Sequence, residues 1–468
     1  AGLGAGPWDV AAVMVDLTND GLPEILITGY VEFDARREQT CRDPQSGERD
    51  VCAPQNFAPA PDRLYWNRGD GTFENVTQLA GLSPEGRALG VVAADINQDG
   101  WLDLYVTNYL SMSLDDRKFC EYEKRPGYCG PGKYPPSPDH AFLNLGDGSF
   151  RDATEELGLV DTIGKGLAVQ AADFDQDRIP EIYVANDMTA NFMYKWTSSP
   201  LAGYREMAMI GGSAQSGEGM NEASMGIACA DFDNDGLPDI YLTHYYNMQK
   251  TLYRNHGDLQ FEDVSRRMRT AQTGFPFLGF GTVPVDYDAD GYPDLFVTNG
   301  HVLGPAVKPD RMTPQWLHNR RGQFFEDVTP ELSGYFRKEW LGRGAASADF
   351  DNDGDLDIVV THLDDPAALL RNSTVTNKGF VGFELSTPDR IVPCGSRITV
   401  ESSSGQQSKA VMTGGSYLSS SDTRILFPVD RDMDSVTILI EWSSGRNDRF
   451  ESLATNRYWR IREGGQPW

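Results

Sequence analysis

Six copies of a nine-residue acidic motif have the residue types and spacing to bind hard metal cations. Each copy places oxygen-bearing side chains at positions 1, 3, 5 and 9, and five copies have glycine at position 6. Oxygen ligands at this spacing suit Ca²⁺, the glycine permits a sharp turn, and position 7 can add its backbone carbonyl. We therefore predict up to six Ca²⁺ sites. The predicted ligands are Asp16, Thr18, Asp20, Leu22, Glu24, Asp95, Asn97, Asp99, Trp101, Asp103, Asp173, Asp175, Asp177, Ile179, Glu181, Asp231, Asp233, Asp235, Leu237, Asp239, Asp286, Asp288, Asp290, Tyr292, Asp294, Asp349, Asp351, Asp353, Asp355 and Asp357.

The EF-hand is a calcium loop that starts with a similar spacing, but the rest of the motif does not fit it. An EF-hand requires a bidentate glutamate at position 12 and a helix on each side. Position 12 is Ile, Val or Leu in every copy. The flanking segments, such as 102–107 and 238–243, have the apolar, β-branched composition of strands. An EF-hand is therefore excluded.

Two copies of the motif depart from the pattern. Arg178 replaces the glycine of the third loop, which puts a β-carbon and a positive charge where the backbone must bend. We expect this third site to be the weakest or to be distorted. Thr18 replaces Asp or Asn at position 3 of the first loop, which removes a carboxylate but keeps a hydroxyl ligand. We expect the first site to be weakened rather than lost.

The acidic loops recur within a larger repeat that predicts four strands per unit. A Gly/Ala-rich apolar strand precedes each loop, a second strand follows it, and a Leu-Tyr-x-Asn strand and a Phe-x-x-Val strand complete the unit. The first aspartates are spaced 55 to 79 residues apart, which suits β-propeller blades. We predict an all-β protein with a β-propeller of six or seven blades at 1–372. The segment 373–468 lacks the motif and predicts a small C-terminal β domain.

Four cysteines predict two disulfides. Cys41 and Cys52 enclose one insertion, near 31–61, and Cys120 and Cys129 enclose another, near 110–139. Such short-range pairs are typical of oxidising compartments, so we expect a secreted or periplasmic protein. Reduced thiols are the alternative, and a zinc site is disfavoured because neither pair has CxxC spacing. The chain begins at Ala1 without methionine, as removal of a leader peptide would leave it.

Composition excludes two classes of partner. The net charge is −28, and 23 of the 69 acidic residues lie inside the six motifs. Nucleic acid is excluded because no basic stripe is present to contact phosphates. A membrane span is excluded because no run of 18 apolar residues occurs.

The ends of the second strands predict a ligand-binding face. In a blade, the turn between the first two strands lies on one face, so the second strand ends on the opposite face, where both insertions also emerge. We predict a ligand face, protein- or glycan-binding, around the axial opening. Structural roles for these residues are the alternative, because Asn often caps turns and Tyr often packs. Binding of a transition metal by the three histidines is a further option. The candidate residues are Tyr30, Asn108, Tyr109, Asn186, Asp187, His244, Tyr245, Asn299, His301 and His362.

The motifs also resemble known repeats. The acidic turns followed by apolar strands resemble FG-GAP/VCBS repeats, the calcium-binding propeller units also found in integrin α chains. Residues 414–422 (Gly-Gly-Ser-Tyr-Leu-Ser-Ser-Ser-Asp) and 440–446 (Ile-Glu-Trp-Ser-Ser-Gly-Arg) resemble the signature of the ASPIC/UnbV domain. This pairing is similar to the cartilage acidic protein-like and UnbV-like family. The resemblance implies a secreted or periplasmic, calcium-stabilised propeller with a β appendage.

Three functions are compatible with these features. The leading hypothesis is a non-enzymatic, extracytoplasmic scaffold that binds a protein or glycan through its insertion-bearing face. The rival, implied by the resemblance to UnbV, is an enzyme or small-molecule-binding protein of a natural-product pathway with its site at the propeller axis. No GxSxG, HExxH or phosphate-binding glycine loop is present. A carbohydrate-binding C-terminal domain using Tyr417 and Trp442 is the third option.

Overall fold

The structure is a computed structural model of the 468-residue chain. It describes residues 2–468 except 5, 7, 35–39, 43–46, 48, 83–85, 114, 116, 123–124, 199–201, 304–306, 389–391 and 403–404. Parts of both predicted insertions therefore lie outside the described residues.

Strands make up most of the ordered elements. The strands are β1 (Asp9–Val15), β2 (Glu24–Gly29), β3 (Cys41–Arg42), β4 (Arg49–Asp50), β5 (Arg63–Asn67), β6 (Phe73–Asn75), β7 (Ala88–Ala94), β8 (Asp103–Asn108), β9 (Cys120–Tyr122), β10 (Arg125–Gly127), β11 (His140–Asn144), β12 (Phe150–Asp152), β13 (Gly166–Ala172), β14 (Glu181–Asn186), β15 (Phe192–Thr197), β16 (Gly203–Glu206), β17 (Ile227–Ala230), β18 (Asp239–Leu242), β19 (Thr251–Asn255), β20 (Phe261–Asp263), β21 (Gly279–Val285), β22 (Asp294–Asn299), β23 (Gln315–Asn319), β24 (Phe325–Asp327), β25 (Gly342–Ala348), β26 (Asp357–His362), β27 (Ala368–Leu370), β28 (Lys378–Ser386), β29 (Arg397–Ser402), β30 (Gly405–Ala410), β31 (Thr413–Gly414), β32 (Ile425–Asp430), β33 (Ser435–Glu441), β34 (Asn447–Ala454) and β35 (Arg457–Arg462). The helices are α1 (Thr154–Leu157), α2 (Ala208–Gly211) and α3 (Thr270–Gly274), with 3₁₀ turns at Pro54–Asn56, Pro131–Lys133, Thr329–Glu331 and Gly334–Arg337.

The strands confirm the predicted β-propeller architecture with six repeats. Blades 1 to 5 each have four antiparallel strands, β1-β2-β5-β6, β7-β8-β11-β12, β13-β14-β15-β16, β17-β18-β19-β20 and β21-β22-β23-β24, and blade 6 has three strands, β25-β26-β27. The short strand β31 pairs with β13 and adds a fifth strand to the sheet of blade 3. Every acidic motif connects the first and second strands of its blade. Within the described residues, no strand pairing joins blade 6 to blade 1.

The inner strands explain the Gly/Ala-rich sequence ahead of each loop. All seven residues of β7 and of β13 are buried, because each inner strand is covered by neighbouring blades on both sides. Side chains must be small there, since a β-carbon at Gly90 would lie 2.9 Å from the carbonyl oxygen of Leu167 in the next blade. In β1, by contrast, alternate residues are exposed, with Met14 at 58%. Blade 1 is thus uncovered on the side away from blade 2.

The segment after blade 6 forms two further sheets, as expected for a small C-terminal β domain. These are β32-β28-β35 and β30-β29-β33-β34. Their alternating apolar residues meet in a common core that contains Phe383, Ile438 and the fully buried Trp442. The exact boundary at residue 373 stays a prediction.

One segment of this C-terminal domain runs through the propeller. Residues 413–422, here called the axial segment, hydrogen-bond to the innermost strands of several blades. Gly415 N–H donates to the Val169 carbonyl at 2.8 Å in blade 3, and Ser416 pairs with Ile227 in blade 4. Ser347 N–H in blade 6 donates to Ser421 Oγ at 3.1 Å. Because these strands line the axis, the axial segment fills the centre of the ring.

Candidate functional site

All six acidic loops share one backbone scaffold. The Oδ2 atom of the position-1 aspartate accepts the N–H of position 6 at 2.6 to 3.1 Å in every loop. The position-5 carboxylate accepts the N–H of position 7 at 2.8 to 3.1 Å. These bonds fold the loop around its own acidic side chains.

Position 4 of each loop is left-handed, a feature that the sequence analysis did not identify. Its φ angle lies between 58° and 65° in all six loops, at Asn19, Gln98, Gln176, Asn234, Ala289 and Asn352. Asn tolerates this region better than most residues. The recurrence of Asn at position 4 was therefore the available signal.

The position-9 carboxylate ties each loop to the blade. One of its oxygens accepts the N–H of position 2 at 2.8 to 3.3 Å in all six loops. The other oxygen accepts the N–H of the asparagine that ends or follows the third strand in blades 2, 4, 5 and 6. Because a carboxylate oxygen has two lone pairs, these bonds leave a lone pair for a cation.

The loop interiors fit a hard cation. Groups of three carboxylates whose oxygens all lie within 4.8 Å of one another occur in the third, fourth, fifth and sixth loops. Several buried ligand atoms have no hydrogen-bond partner among the described residues: Thr18 Oγ1, Asp233 Oδ1 and Asp288 Oδ1, all at position 3, and Asp173 Oδ1 at position 1. Buried acceptors without donors are costly, and a bound cation would satisfy them.

Burial also raises the pKa of loop carboxyls. Desolvation, reinforced by neighbouring carboxylates, raises the pKa of Glu24 to about 7, of Asp103 to about 8 and of Asp286 to about 7. A divalent cation would reverse this effect, because it stabilises the ionised form.

These pKa shifts predict an unusual pH dependence for the metal-free chain. Between the ordinary carboxyl pKa of about 4 and a folded value of about 7 or 8, the folded state retains protons that the unfolded state has lost. The stability of the chain in EDTA should therefore fall as the pH rises from 5 to 8. Urea unfolding at several pH values measures this. With calcium the trend should reverse, and parallel curves with and without calcium would contradict the prediction.

Basic side chains from the third strands reach the acidic loops of blades 3 to 6. They occupy equivalent positions, at Lys195, Arg254, His318 and Arg371. Arg254 Nη2 lies 2.5 Å from Asp233 and 3.1 Å from Asp235, at positions 3 and 5 of its loop. The corresponding residues of blades 1 and 2, Trp66 and Leu143, carry no charge.

The third loop keeps the common turn despite Arg178. Arg178 adopts a φ of 76°, and its N–H donates to Asp173 Oδ2 at 3.0 Å, as the glycines do in the other loops. Its guanidinium points away from the loop, with Nη2 3.0 Å from Asn447 Oδ1 and 3.6 Å from Glu441 Oε1. Arg178 therefore fastens this loop to the C-terminal domain.

Asparagines at the third-strand ends join neighbouring blades. Asn255 Nδ2 donates to the Phe174 carbonyl of blade 3 at 2.8 Å and to the Pro238 carbonyl of its own blade at 3.1 Å. Asn144 and Asn319 make the same pair of bonds in blades 2 and 5. Asn67 of blade 1 instead donates to Pro23 of its own blade, at 3.2 Å. The Leu-Tyr-x-Asn pattern thus encodes blade-to-blade contacts.

Replacing Asn255 by alanine should destabilise the propeller. The change leaves two buried carbonyls without their donor, which costs about 2–3 kcal/mol. Asn67→Ala is the matched control, and a cost of about 1 kcal/mol is expected there because Asn67 is partly exposed and its amide donates only one, longer bond, within its own blade. Urea unfolding gives both values, and equal losses would contradict the assigned role.

The structure separates the predicted ligand face into two sets. Asn108, Asn186, Asn299 and His244 are fully buried. The three asparagines donate to nearby backbone carbonyls, and His244 Nε2 lies 3.0 Å from Thr251 Oγ1. This first set holds the strand ends and connecting loops in place.

The second set lies around the axis. Tyr30, Tyr109 and Tyr245 pack in one apolar cluster with Tyr417 and Leu418 of the axial segment. The ring of His301 lies 5.6 Å from that of Tyr245, and the Tyr109 hydroxyl donates to Asp187. His362 packs instead against Trp340 and Tyr335. Among the described residues, no three-residue metal-binding cluster includes His244, His301 or His362. The axial opening is thus filled from within by the C-terminal domain.

The two insertions are cross-linked as predicted and contact each other. Disulfides join Cys41 to Cys52 and Cys120 to Cys129, while Cys229 and Cys394 are buried thiols outside these disulfides. Gln55 of the first insertion is 3% exposed, and its side chain exchanges hydrogen bonds with the Lys118 backbone of the second at 2.6 and 2.8 Å. The insertions therefore form one layer over blades 1 and 2.

A cavity of about 520 Å³ lies on the acidic-loop side of the propeller. Loops of blades 4 to 6 form one wall, which includes Asp231 and Asp286. Strands β29 and β30 of the C-terminal domain form another, which includes Arg397 and Lys409. The two aromatic residues of the carbohydrate-binding hypothesis, Tyr417 and Trp442, are not exposed on the surface of the C-terminal domain. Trp442 is buried in the domain core, and Tyr417 lies in the axial segment.

The family comparisons agree with this architecture. The FG-GAP-like repeat family matches residues 46–106, 231–297 and 286–360, and the ASPIC and UnbV family matches residues 391–467. The chain therefore contains FG-GAP-like repeats within the propeller and an ASPIC and UnbV domain at residues 391–467. No helix among the described residues is long and apolar enough to cross a membrane.

Within this class, the chain is similar to cartilage acidic protein 1. The human protein is 26% identical over 291 residues, covering 60% of this chain and 40% of the relative. The Xenopus tropicalis protein is 20% identical over 404 residues, covering 83% and 57%. The chain thus spans roughly half the length of these relatives.

Two lectins are among the solved structures to which the chain is similar. One, from Agrocybe aegerita, recognises non-reducing terminal N-acetylglucosamine; it is 14% identical and covers 79% of this chain and 82% of its own, with a TM-score of 0.40. The BP39L lectin of Burkholderia pseudomallei is 10% identical and covers 95% and 99%, with a TM-score of 0.38. At these scores the likeness carries no argument about function.

Proposed function

We propose that this protein is an extracytoplasmic, calcium-binding repeat protein that acts as a recognition scaffold. Its acidic loops bind Ca²⁺ on one side of the propeller. Its insertion-bearing face, on the other side, recognises a protein or glycan partner. Secretion or export is supported by the two disulfides and by the similarity to cartilage acidic protein 1.

One observation carries the calcium part of the proposal. The position-3 oxygens of Thr18, Asp233 and Asp288 are buried inside three different loops without a hydrogen-bond donor. The position-9 carboxylates of the same loops are almost fully buried, at Glu24, Asp239 and Asp294. Oxygen-only ligand sets of this kind suit Ca²⁺ rather than zinc or copper.

Calcium binding is tested by equilibrium dialysis of the full chain, followed by metal analysis. We expect several Ca²⁺ ions per chain and displacement by Tb³⁺, with luminescence sensitised by the position-7 rings Trp101 and Tyr292. Asp235→Asn should lose one ion. A chain that retains no calcium at millimolar concentration would contradict the proposal.

The recognition part of the proposal is supported by exposed aromatic side chains on the insertion layer. Trp8 is 44% exposed and packs edge-to-face against Phe33, which packs in the same way on Phe57. Phe119 and Tyr128 of the second insertion are 40% and 48% exposed. Tyr and Trp side chains held in place by such packing are common anchors of binding interfaces.

Glycan arrays and surface plasmon resonance against secreted proteins test this face. Trp8→Ala and Tyr128→Ala should each weaken binding of the partner that is found by at least about tenfold, as expected for anchor residues. Trp468→Ala is the matched control, because Trp468 is 57% exposed but lies at the end of the C-terminal domain. Equal loss in the control would place the interface elsewhere.

A small-molecule site at the axis is the second candidate. It is favoured by the buried pair formed by Tyr109 and Asp187, because buried ionisable groups often mark functional sites. Burial raises the pKa of Asp187. Native mass spectrometry of the purified chain tests this option. A retained small molecule that is lost in Asp187→Asn would favour it over the scaffold.

A further inference from the structure

The third acidic loop differs from the others in the positive charges that it holds. Three of its four acidic side chains contact the ammonium of Lys195, which comes from β15 of the same blade. Lys195 Nζ contacts Asp175, lies 2.7 Å from Asp177 Oδ2 and lies 3.5 Å from Glu181 Oε1. These carboxylates occupy positions 3, 5 and 9 of the loop. One nitrogen thus meets three of the side chains that would ligate a metal ion.

The arginines of blades 4 and 6 do not reach as far into their loops. Arg254 and Arg371 each contact the carboxylates at positions 3 and 5 but not the one at position 9. Their side chains are 33% and 64% exposed, whereas that of Lys195 is 23% exposed. A guanidinium is planar and broad, while an ammonium is a compact point charge with three donors. Among the basic residues described, only Lys195 meets the carboxylates at positions 3, 5 and 9 with one nitrogen. In the fifth loop, His318 lies 3.1 Å from Asp294 at position 9 and 3.9 Å from Asp288 at position 3, through different ring nitrogens.

A calcium ion and this ammonium exclude each other. Ca²⁺ requires six to eight oxygen ligands at about 2.3–2.6 Å, so it must occupy the space between the same carboxylates. Glu181 is 1% exposed and Asp175 is 9% exposed at the side chain, so neither can turn outward without breaking the blade.

We propose that Lys195 is the built-in cation of the third loop, so that this loop needs no metal and calcium binds in at most five of the six. The inference rests on the proposed calcium function of the other loops. It gives the third blade a different role from its neighbours. Lys195 neutralises the loop from within, and Arg178 links the loop to the C-terminal domain. This blade therefore remains folded when calcium is withdrawn.

The test compares Lys195→Met with Arg254→Met in the fourth loop. Calcium per chain is measured by equilibrium dialysis of the wild type and both variants. Lys195→Met should bind one more ion than the wild type, because it frees the three carboxylates that hold the ammonium. Arg254→Met should bind the same number as the wild type. An unchanged count in Lys195→Met, when the wild type binds calcium, overturns the inference.

Two further measurements separate this inference from the proposed function. Asp235→Asn should lose one ion and Asp177→Asn none; loss of an ion in Asp177→Asn overturns the inference, while absence of calcium from the wild type overturns the proposed function alone. In EDTA, Lys195→Met should melt several degrees below Arg254→Met and recover with calcium. Equal melting temperatures in EDTA overturn the inference without reference to metal binding. Lys195→Gln serves if the methionine variant does not fold in EDTA.

Discussion

Excess EDTA is expected to lower the melting temperature of this protein by about 10 °C or more. Ions that bind the folded chain alone stabilise it by about 3–4 kcal/mol per site at 100 to 1,000 times their dissociation constant. For domains of about 150–250 residues, each kcal/mol corresponds to roughly 2–4 °C. Two or three occupied loops therefore suffice for the expected shift, which differential scanning calorimetry measures directly.

The physical reason lies in the crowding of buried and half-buried carboxylates. In the fourth loop, Asp231, Asp233 and Asp239 lie with their oxygens within 4.8 Å of one another. Burial raises the pKa of Asp231 to about 6, and that of Asp239 is also raised. Without a cation, the folded chain must either hold these groups ionised against desolvation and mutual repulsion or take up protons. Calcium removes both costs.

Magnesium provides the control for this experiment. Mg²⁺ prefers six ligands at about 2.0–2.1 Å and gives up its water reluctantly, so adding it after EDTA should restore little of the lost stability. Calcium should restore all of it. A melting curve that EDTA leaves unmoved would contradict calcium binding in these loops, and full recovery with magnesium would contradict its selectivity.

The repeat motif made the acidic loops and the blade architecture predictable from sequence. Position spacing alone located the hairpins, because the first and second strands of a blade are adjacent in the chain. The disulfides were predictable for the same reason, since Cys41 and Cys52 are separated by 11 residues. Local sequence was sufficient wherever the interacting residues are close in the chain.

Contacts between distant segments were not predictable. Gln170 donates to the Thr413 carbonyl across 243 residues, and no local pattern in residues 413–422 indicates that this segment enters the propeller. The prediction of a ligand face was limited for the same reason. Asn108 and His244 end their strands as expected, but whether such residues meet a ligand or the chain itself depends on loops far away in sequence. The axial segment occupies the axial opening around which the ligand face was predicted.

The role of Lys195 shows the same limit. The third-strand pattern identified Leu-Tyr-x-Asn, yet blade 3 has Trp196 in place of the asparagine and Lys195 at the variable position. In the absence of that asparagine, the Tyr204 hydroxyl donates to the Ile96 carbonyl of blade 2 at 3.1 Å. Tyr204, from β16, thus supplies the blade-to-blade hydrogen bond that the asparagine supplies in other blades, and this replacement is visible only in the structure.

Gly414→Ala is expected to destabilise the protein by about 3 kcal/mol, because the axial segment cannot accommodate a side chain there. Gly414 has a φ of 84°, and an added β-carbon would lie 2.5 Å from the Val169 carbonyl oxygen. That oxygen belongs to β13, which is buried on both faces and accepts the N–H of Gly415. The strand cannot move aside without disturbing the neighbouring blades.

Gly71→Ala separates the steric effect from backbone strain. Gly71 has a φ of 82° but faces open space, with no atom within 4 Å of an added β-carbon. It should therefore cost only the left-handed strain of about 1–2 kcal/mol. Urea unfolding of both variants gives the difference that is due to the axial contact.

Withdrawal of the axial segment should also uncouple the two domains. In Gly414→Ala, limited proteolysis should cleave within residues 413–422, and unfolding should split into two transitions, because the hydrogen bonds to Val169, Ile227 and Ser347 are lost together. The same digestion of Gly71→Ala should leave this segment intact. If both variants unfold in one transition with equal loss of stability, the axial segment does not hold the C-terminal domain in the ring.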